Sequence, residues 1–483
     1  MAITRISSNN GRAQASAGSR RLIPAITAIF TGLLLGLMLT QLGYAEAAMV
    51  FIGIAAVAVA IISPYWALVI GVAQWAFIPS EGTFLWIETT PNQLQFIGPL
   101  LIVAALLCAL KERAHDRLRP RMSDFSVGGL GLWGLIGLLA NGYPTMYKWY
   151  TNRMILPMAY YYATRMVGLT RERAVKLLVI ALVAVALQSV LMIRQSMAGS
   201  SPIYGHHRGL LEGIKPAIGP FIYHWSAGTF LTQWPAIFVY MIAREKNVKK
   251  KILWIIALIA VLIAATRTMQ RAPILAALLG ISLCVLSSRL RRTTVGIIAL
   301  LALLYVPWST GSAGGSLLDR FDETDQSRYA RRAVALNLLR SPRWDPIFGM
   351  GWTRGHIHGS GLGTDDEVVI WGRRATTVSF LETSRFHNVW LQIPIELGGV
   401  GALITVTIIL SAVASSLRIL RRARERATDT GLLVALWGSL LGVGAIGYYQ
   451  HVWHMPASMS VMWLVYGMIV SDPRLFDIEP SEA

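Results

Sequence analysis

Leu177-Leu-Val-Ile-Ala-Leu-Val-Ala-Val-Ala-Leu-Gln-Ser-Val-Leu-Met-Ile193 contains no charged residue, and basic residues bound it at Arg171–Lys176 and Arg194. A helix of this length covers most of the ~30 Å hydrocarbon core of a bilayer at about 1.5 Å per residue. Blocks of the same kind, about 15–21 residues long, recur along the chain. Hydropathy marks Leu22–Leu42, Ala47–Ser63, Trp66–Pro79, Gln93–Leu110, Ser126–Ala140 and Arg153–Gly168 before or beside it. Further on come Trp225–Ala243, Ile252–Thr266, Ala272–Ser287 and Thr293–Val306, then Asn388–Leu417, Leu432–Tyr448 and Ala457–Ser471. Several are short, so the expectation is an all-α polytopic membrane protein with about 12–14 transmembrane helices.

Composition agrees with that expectation. Of 483 residues, 54% are hydrophobic and 14% charged, against roughly 25% charged in an average soluble domain. Disorder, a collagen-like repeat and a secreted disulfide scaffold are excluded. The only cysteines, Cys108 and Cys284, each fall inside an apolar block and read as buried and inert.

Orientation follows the basic residues of short loops. One side collects Lys111–Arg121, Arg171–Lys176, Arg244–Lys251, Arg289–Arg292, Arg418–Arg426 and the tail ending at Arg20 and Arg21. That side is read as cytoplasmic, and an even number of crossings puts both termini there. The polar stretch Met1–Ser19 shows no cleavage pattern early enough for a secretory signal. The expected organisation is a cytoplasmic basic tail (1–21), transmembrane helices 1–11 (22–308), a long exported loop (309–386), helices 12–14 (387–471) and a cytoplasmic tail (472–483).

The exported side breaks the charge rule. It carries Lys148, Arg194, Arg208, Lys215, Arg267 and Arg271, then ten arginines between Arg320 and Arg385. Nine acidic residues between Asp319 and Glu382 allow the plain reading of a salt-bridged, solvated loop. Arg267, Arg271 and Arg385, however, sit beside membrane spans, where a guanidinium suits a phosphate ligand.

The loop begins with the flexible Gly311-Ser-Ala-Gly-Gly315. Ser327–Arg340 then reads as an amphipathic helix stopped by Pro342, with Arg328, Arg331 and Arg332 in one sector. Such a helix can lie in the headgroup plane, its arginines over a lipid pyrophosphate or simply drawn to anionic lipid. Pro346-Ile-Phe-Gly-Met-Gly-Trp352 is a turn whose glycines permit close backbone approach. Beyond it, His387 falls at the outer border, at the start of a helix. The positive end of the dipole disfavours its imidazolium, and a neutral imidazole can act as a base. A capping or packing role is the alternative.

Three of these segments, in order, resemble the bacterial O-antigen ligase and polysaccharide polymerase superfamily. Thr266-Arg-Thr-Met-Gln-Arg-Ala-Pro-Ile-Leu-Ala-Ala-Leu278 is similar to the family's Ser-Arg-Gly start of a span, with Gln270 and Ala272 in place of the small residues. Arg328 through Asp345-Pro-Ile-Phe-Gly-Met-Gly351 is similar to its loop helix and Pro-x-x-Gly-x-Gly turn. His387-Asn-Val-Trp-Leu-Gln-Ile-Pro-Ile-Glu-Leu-Gly-Gly-Val-Gly401 is similar to its His-Asn-x-x-Leu…Glu-x-Gly-x-x-Gly. The likeness covers about 254–410.

The resemblance implies a GT-C-type glycosyltransferase of the bacterial inner membrane, working on the periplasmic face without metal, cofactor or nucleotide sugar. It would move a glycan from undecaprenyl pyrophosphate to an acceptor hydroxyl on a glycan or glycolipid, inverting the anomeric centre. His387 would be the base. Arg271 or Arg267, with Arg328 or its neighbours Arg331 and Arg332 and with Arg385, would hold the pyrophosphate. Fixed guanidinium groups aimed at the leaving pyrophosphate stabilise charge that grows as the C–O bond breaks.

Other candidates stay secondary. Arg208 and Lys215 in the second-longest outer loop, Trp390, and His451 and His454 near the end could line an acceptor or substrate cavity; a solvated loop and an interface anchor are the plain readings. His356-Ile-His358 reads as loop rather than metal site. Tyr160–Tyr162, Trp149 and Trp225 read as an aromatic belt. Glu396 reads as a buried polar partner within the bundle, not a base. No P-loop, HExxH or zinc-type cysteine spacing occurs, and no nucleic-acid partner is expected. The loop Gly43–Glu46 is too short for the metal-bearing first outer loop of another class of membrane glycosyltransferase. The rival readings are a lipid-linked oligosaccharide flippase, in which broken helices near mid-membrane would be expected, and a non-catalytic envelope assembly protein.

Overall fold

The computed structural model describes residues 63–73, 120–140, 150–198, 216–219, 224–268, 270–309, 344–351, 388–426, 430–448, 452–471 and 473–476, with 58, 75, 101, 221, 339 and the strand residues given below. The chain divides into two units, Met1–Ile62 and Ser63–Ala483, and the elements that follow belong to the second. The expected spans Leu22–Leu42, Ala47–Ser63 and Gln93–Leu110 lie outside the described residues but for single positions.

The helices are α1 (Pro64–Ala73), α2 (Met122–Ala140), α3 (Leu156–Val167, preceded by a π-turn at Thr151–Ile155) and α4 (Arg171–Ala198). Next come α5 (His224–Leu231), α6 (Pro235–Arg244), α7 (Val248–Arg267), α8 (Arg271–Leu283, extended by a 3-10 turn at Cys284–Leu286) and α9 (Ser288–Ser309). The last three are α10 (Val389–Arg426), α11 (Thr430–Gly447) and α12 (Pro456–Val470), with 3-10 turns at Val452–His454 and Pro473–Phe476. Their positions follow the apolar blocks closely. Met122–Ala140, Arg171–Ala198, Val389–Glu425 and Thr430–Gly447 are long and apolar enough to cross a membrane; Pro64–Ala73, Arg271–Leu286 and Pro456–Val470 are shorter apolar helices. Large side chains such as Leu132, Val183, Val190 and Leu403 point outward and are 60%, 54%, 54% and 66% exposed. Helices greasy on their outer faces need lipid as solvent, so this is a helical membrane protein.

The chain is not wholly helical. Ser200–Ser201 (β1) pairs antiparallel with Gly205–His206 (β2), and Glu367–Ile370 (β3) with Arg373–Thr376 (β4). The second pair lies in the long loop, where the expectation is an amphipathic helix and a glycine-rich turn. Its β-branched Val368-Val-Ile370 favours extended backbone, and only Trp371 and Gly372 separate the strands, the spacing of a tight hairpin. The helix expected at Ser327–Arg340 lies outside the described residues except for Leu339.

The block Trp225–Ala243, read from sequence as one span, is two helices. Pro235 has no N–H and its ring opposes the carbonyl four residues back, so the ladder stops after Leu231 and restarts with Pro235 in the first turn of α6. Thr232 bridges the gap, its hydroxyl donating to the Thr229 carbonyl at 2.7 Å. Gln233 and Trp234 are fully buried there. Trp234 packs on Phe230 and Trp75, with ring centroids 5.8 and 5.6 Å away.

Small residues let α8 and α11 touch backbone to backbone. A Cβ on Gly280 would meet the Gly438 carbonyl oxygen at 2.7 Å, and one on Gly438 the Gly280 oxygen at 2.6 Å. One helical turn away, Gly442 faces the Ala276 oxygen in the same antiparallel register. This small-xxx-small pairing (Ala276/Gly280 against Gly438/Gly442) is how membrane helices gain dispersion contact when no hydrophobic driving force separates helix from lipid.

A polar knot ties α2, α3 and α12 at one end. Asp124 accepts from the Arg121 amide at 2.8 Å and the Tyr161 hydroxyl at 2.6 Å, and lies 3.6 Å from Arg165. Arg121 reaches on to the carbonyls of Val470 and Ser471 at 2.5 and 3.0 Å. The aromatic-belt reading of Tyr160–Tyr162 is corrected here. Tyr160 and Tyr161 are fully buried, Tyr160 donates to the Gly71 carbonyl at 2.7 Å, and Tyr162 donates to the Asp124 carbonyl at 3.1 Å. Packed helices supply the partners that an interfacial tyrosine takes from water. Trp149 and the side chain of Trp225 lie outside the described residues.

Candidate functional site

Two of the sequence segments lock into each other. At Gly398 (φ 65°, ψ −170°) α10 is broken, and the turn Asp345–Gly351 is seated in the break. Met350 donates to the Ile395 carbonyl at 2.8 Å, and Gly399 donates to the Pro346 carbonyl at 2.7 Å. The Gly398 break frees carbonyls that other groups then satisfy: Trp344 Nε1 donates to the Pro394 oxygen at 3.0 Å and Trp133 Nε1 to the Leu397 oxygen at 2.9 Å. Phe348 stacks on the Trp133 ring at 4.9 Å and 11°. Asp345 holds the turn itself, its Oδ1 accepting from the Ile347 and Phe348 amides at 2.6 and 3.0 Å. A Cβ on Gly349 (φ 68°) would strike the Gly398 amide and the Glu396 carbonyl. The Pro-x-x-Gly-x-Gly and Gly-Gly-x-Gly patterns are thus two halves of one backbone crossing.

Above the break, α10 begins with a side-chain cap. Asn388 Oδ1 accepts from the amides of Trp390 and Leu391 at 3.0 and 3.2 Å, the usual task of an N-cap. His387 immediately precedes that cap and lies outside the described residues. One turn on, Gln392 is buried and donates to Glu396 Oε1 at 2.7 Å. Asn388, Gln392 and Glu396, four residues apart, form a polar row running from the helix start into the bundle. Glu396 is 1% exposed, as the reading of a bundle-internal polar partner has it.

The start of α10 rests on the end of α11. Val389 lies against Gly447, and Trp390 Nε1 donates to the Gly444 carbonyl at 3.2 Å. The start of α8 reaches the same place. In its register with α11, Ala276 faces Gly442, and five residues further along each helix come Arg271 and Gly447. Arg271 therefore stands level with the residues that seat Val389. With helix axes roughly 8–10 Å apart at each contact, the axes of α8 and α10 lie within about 20 Å there.

The turn between α7 and α8 is held from the other side. Gly228 of α5 is so close to Thr268 and Pro273 that a Cβ would meet the Pro273 ring at 2.6 Å. The Ala217 amide donates to the Arg267 carbonyl at 2.7 Å, and the Gly219 amide to Gln195 Oε1 at 2.8 Å. These bonds bring the end of the second-longest expected outer loop, just after Lys215, onto Arg267. Arg267 and Arg271 are both partly exposed.

The described structure thus places Pro216 and Ala217 on the α7–α8 turn that carries Arg267 and Arg271, and seats Asn388 and Trp390 on the same end of α11. Trp390 is 44% exposed and so open to a ligand as well as to lipid. The 3-10 turn Val452–His454 adjoins the same end of α11, with Val452 against Gly447. Trp453 within it is 7% exposed, so it packs inward and is no lipid-facing anchor. Arg328, Arg331, Arg332, Arg385, Arg208, Lys215 and His451 lie outside the described residues, as do His356, His358 and the side chain of His454. Among the described residues no group of three His, Cys, Asp or Glu side chains could hold a metal ion. Sequence reading missed Trp133 and Trp344, which satisfy the broken helix, and Asp345 as the turn's anchor. Trp133 gave no signal, because a tryptophan in an apolar block looks like packing, and nothing local to Trp344 in its polar loop tied it to α10. A scan against protein-family models and a search of curated proteins find no match to this chain.

Proposed function

We propose that the chain is a glycosyltransferase of the bacterial inner membrane, with both termini cytoplasmic and its site at the periplasmic border. It moves a glycan from undecaprenyl pyrophosphate to an acceptor hydroxyl on a glycan or glycolipid. The observation that carries the reading is spatial. The segments that resemble the O-antigen ligase and polymerase superfamily are neighbours in the fold. Asp345–Gly351 sits in the break of α10, and the starts of α8 and α10 both stand at the Gly447 end of α11.

The chemistry follows from that corner. The carrier's chain stays in lipid and its sugars stay in water, so the reaction belongs at the border where α8 and α10 begin. Arg271, with Arg267 and arginines of the long loop (Arg328, Arg331, Arg332, Arg385), offsets the charge of the departing pyrophosphate, a contribution of about 10²–10³ in rate per donor. His387 takes the proton of the attacking hydroxyl, worth about 10²–10⁴. The oxygen attacks the anomeric carbon as the carbon–pyrophosphate bond breaks, which inverts that centre. The released products are the new glycoside and undecaprenyl pyrophosphate. Deleting the gene and analysing carrier-linked glycans tests this: a ligase leaves long polymer on the carrier, a polymerase leaves single repeats, and an unchanged glycan profile contradicts both.

A second reading has one observation in its favour. The break between α5 and α6 falls in the middle of an apolar block, with Gln233 buried in it. Broken helices near mid-membrane are common in transporters. A flippase moves the lipid-linked glycan without making a bond, so product analysis separates the two.

A further inference from the structure

At the far end of α10 from Asn388, Arg418, Arg421, Arg422 and Glu425 line an open cavity of about 350 Å³. From the break at Gly398 to Arg418, twenty residues make about 30 Å of helix, the thickness of the hydrocarbon core. The cavity therefore lies at the opposite membrane border from the candidate site, and the transfer chemistry does not use it. Its four lining residues share one face of α10, three and four residues apart. The Arg418 Nη2 donates to the Ser415 hydroxyl at 3.0 Å, which fixes the guanidinium along the helix. Ser416 next to it is tied to α11 by Trp437 Nε1 at 2.8 Å.

What adjoins the cavity decides its ligand. Leu403, Val406, Leu410, Val413, Leu417 and Leu420 are 38–66% exposed and alternate at three and four residues, so they form one continuous outward stripe on α10. The stripe ends at Leu417 and Leu420, in the turns that carry the arginines. On a helical projection the cavity residues lie about a quarter-turn round from it, between the stripe and the packed face of Ile408, Ala412 and Ile419. A soluble anion would use the guanidinium groups and ignore the leucines. A molecule with a phosphate at one end and acyl chains below it uses both.

We infer that this cavity is a binding site for an anionic phospholipid, with the headgroup phosphate among Arg418, Arg421 and Arg422 and the acyl chains along the α10 stripe. Three guanidinium groups face one carboxylate there, and Glu425 sets a ceiling on affinity by repelling the phosphate. Basic residues facing a headgroup strengthen binding by about 1 kcal/mol each, roughly fivefold.

Native mass spectrometry of the full chain in detergent tests the assignment, with phosphatidylglycerol, phosphatidylcholine and inorganic phosphate as probes. Phosphatidylglycerol should bind at least tenfold tighter than phosphatidylcholine, and millimolar inorganic phosphate should not displace it. The triple variant Arg418→Ala/Arg421→Ala/Arg422→Ala should weaken that binding about a hundredfold. The control triple Arg289→Ala/Arg291→Ala/Arg292→Ala, in another arginine-rich turn, should leave it within twofold. Glu425→Gln, which keeps the side chain's shape, should tighten binding severalfold. Equal affinity for the two lipids, full displacement by phosphate, equal loss in both triples, or no effect of Glu425→Gln would each overturn the proposal.

Discussion

Replacing Gly398 by alanine should undo the joint between the loop turn and α10. The residue sits at φ 65° and ψ −170°, a region essentially reserved for glycine, where an L-residue costs about 1–3 kcal/mol. Its new Cβ would also press on the Ile347 carbonyl and the Gly349 amide. Both are backbone, so no rotamer change relieves them. The turn's escape is to lift away. That forfeits the bonds from Met350 to Ile395 and from Gly399 to Pro346, about 0.5–1.5 kcal/mol each. It also loosens the Trp133–Phe348 stack, worth about 0.5–1.5 kcal/mol. Lifting away therefore costs about 1.5–4.5 kcal/mol in total, and staying seated about 1–3 kcal/mol of backbone strain with the clash added. Thermal unfolding of the purified chain in detergent, with hydrogen exchange at the Met350 and Gly399 amides, reads both outcomes. Gly129→Ala and Gly296→Ala are the controls, since a Cβ at either meets nothing within 4 Å; they should be neutral or slightly stabilising. A Gly398→Ala protein with parental melting and parental exchange at those amides would refute the crossing.

Arg271→Ala and His387→Ala should each leave the protein in the membrane while cutting transfer by about 10²–10³ and 10²–10⁴ respectively; full activity in either removes that residue from the mechanism. Gly438→Leu should destabilise by more than the roughly 1–3 kcal/mol of ordinary overpacking, because its branch would run into the Gly280 carbonyl; an unchanged melting temperature in detergent would count against the α8–α11 contact. Asp124→Ala removes the carboxylate that accepts from Tyr161 and lies beside Arg165, and loss of such charge-assisted hydrogen bonding costs about 1.5–3 kcal/mol, measurable as lowered yield and melting temperature. Trp133→Phe keeps the stack on Phe348 but drops the bond to the Leu397 carbonyl, an expected loss of about 1 kcal/mol.

Sequence carried the helices and their rough limits, because an apolar block in a membrane has one way to satisfy its backbone. It did not carry the breaks. Pro235 marked one in principle, yet proline is tolerated inside membrane helices, and the apolar block around it ran on without interruption. The break at Gly398 depends on a partner fifty residues earlier in the chain, and no local pattern announces that Pro346 and Gly399 will meet. Tyr160–Tyr162 misled for a related reason: a tyrosine at a border and one deep in a packed bundle have the same composition around them. The site was legible in parts. Arg271 and Asn388–Glu396 could be picked out beside their span ends, but that both helix starts stand at the Gly447 end of α11 rests on the glycine-spaced register between α8 and α11, a tertiary feature. The hairpin Glu367–Thr376 was passed over because four-residue strands give too short a pattern to stand out in a polar loop.

The most direct measurement is release of undecaprenyl pyrophosphate by the purified chain in liposomes, given a carrier-linked glycan and an acceptor glycolipid, and followed by mass spectrometry of both products. The account predicts one equivalent of free carrier pyrophosphate for each new glycosidic bond, without added metal, and no release from the His387→Ala protein. Movement of the intact lipid-linked glycan across the bilayer with no carrier released, or equal release from the His387→Ala protein, would contradict it.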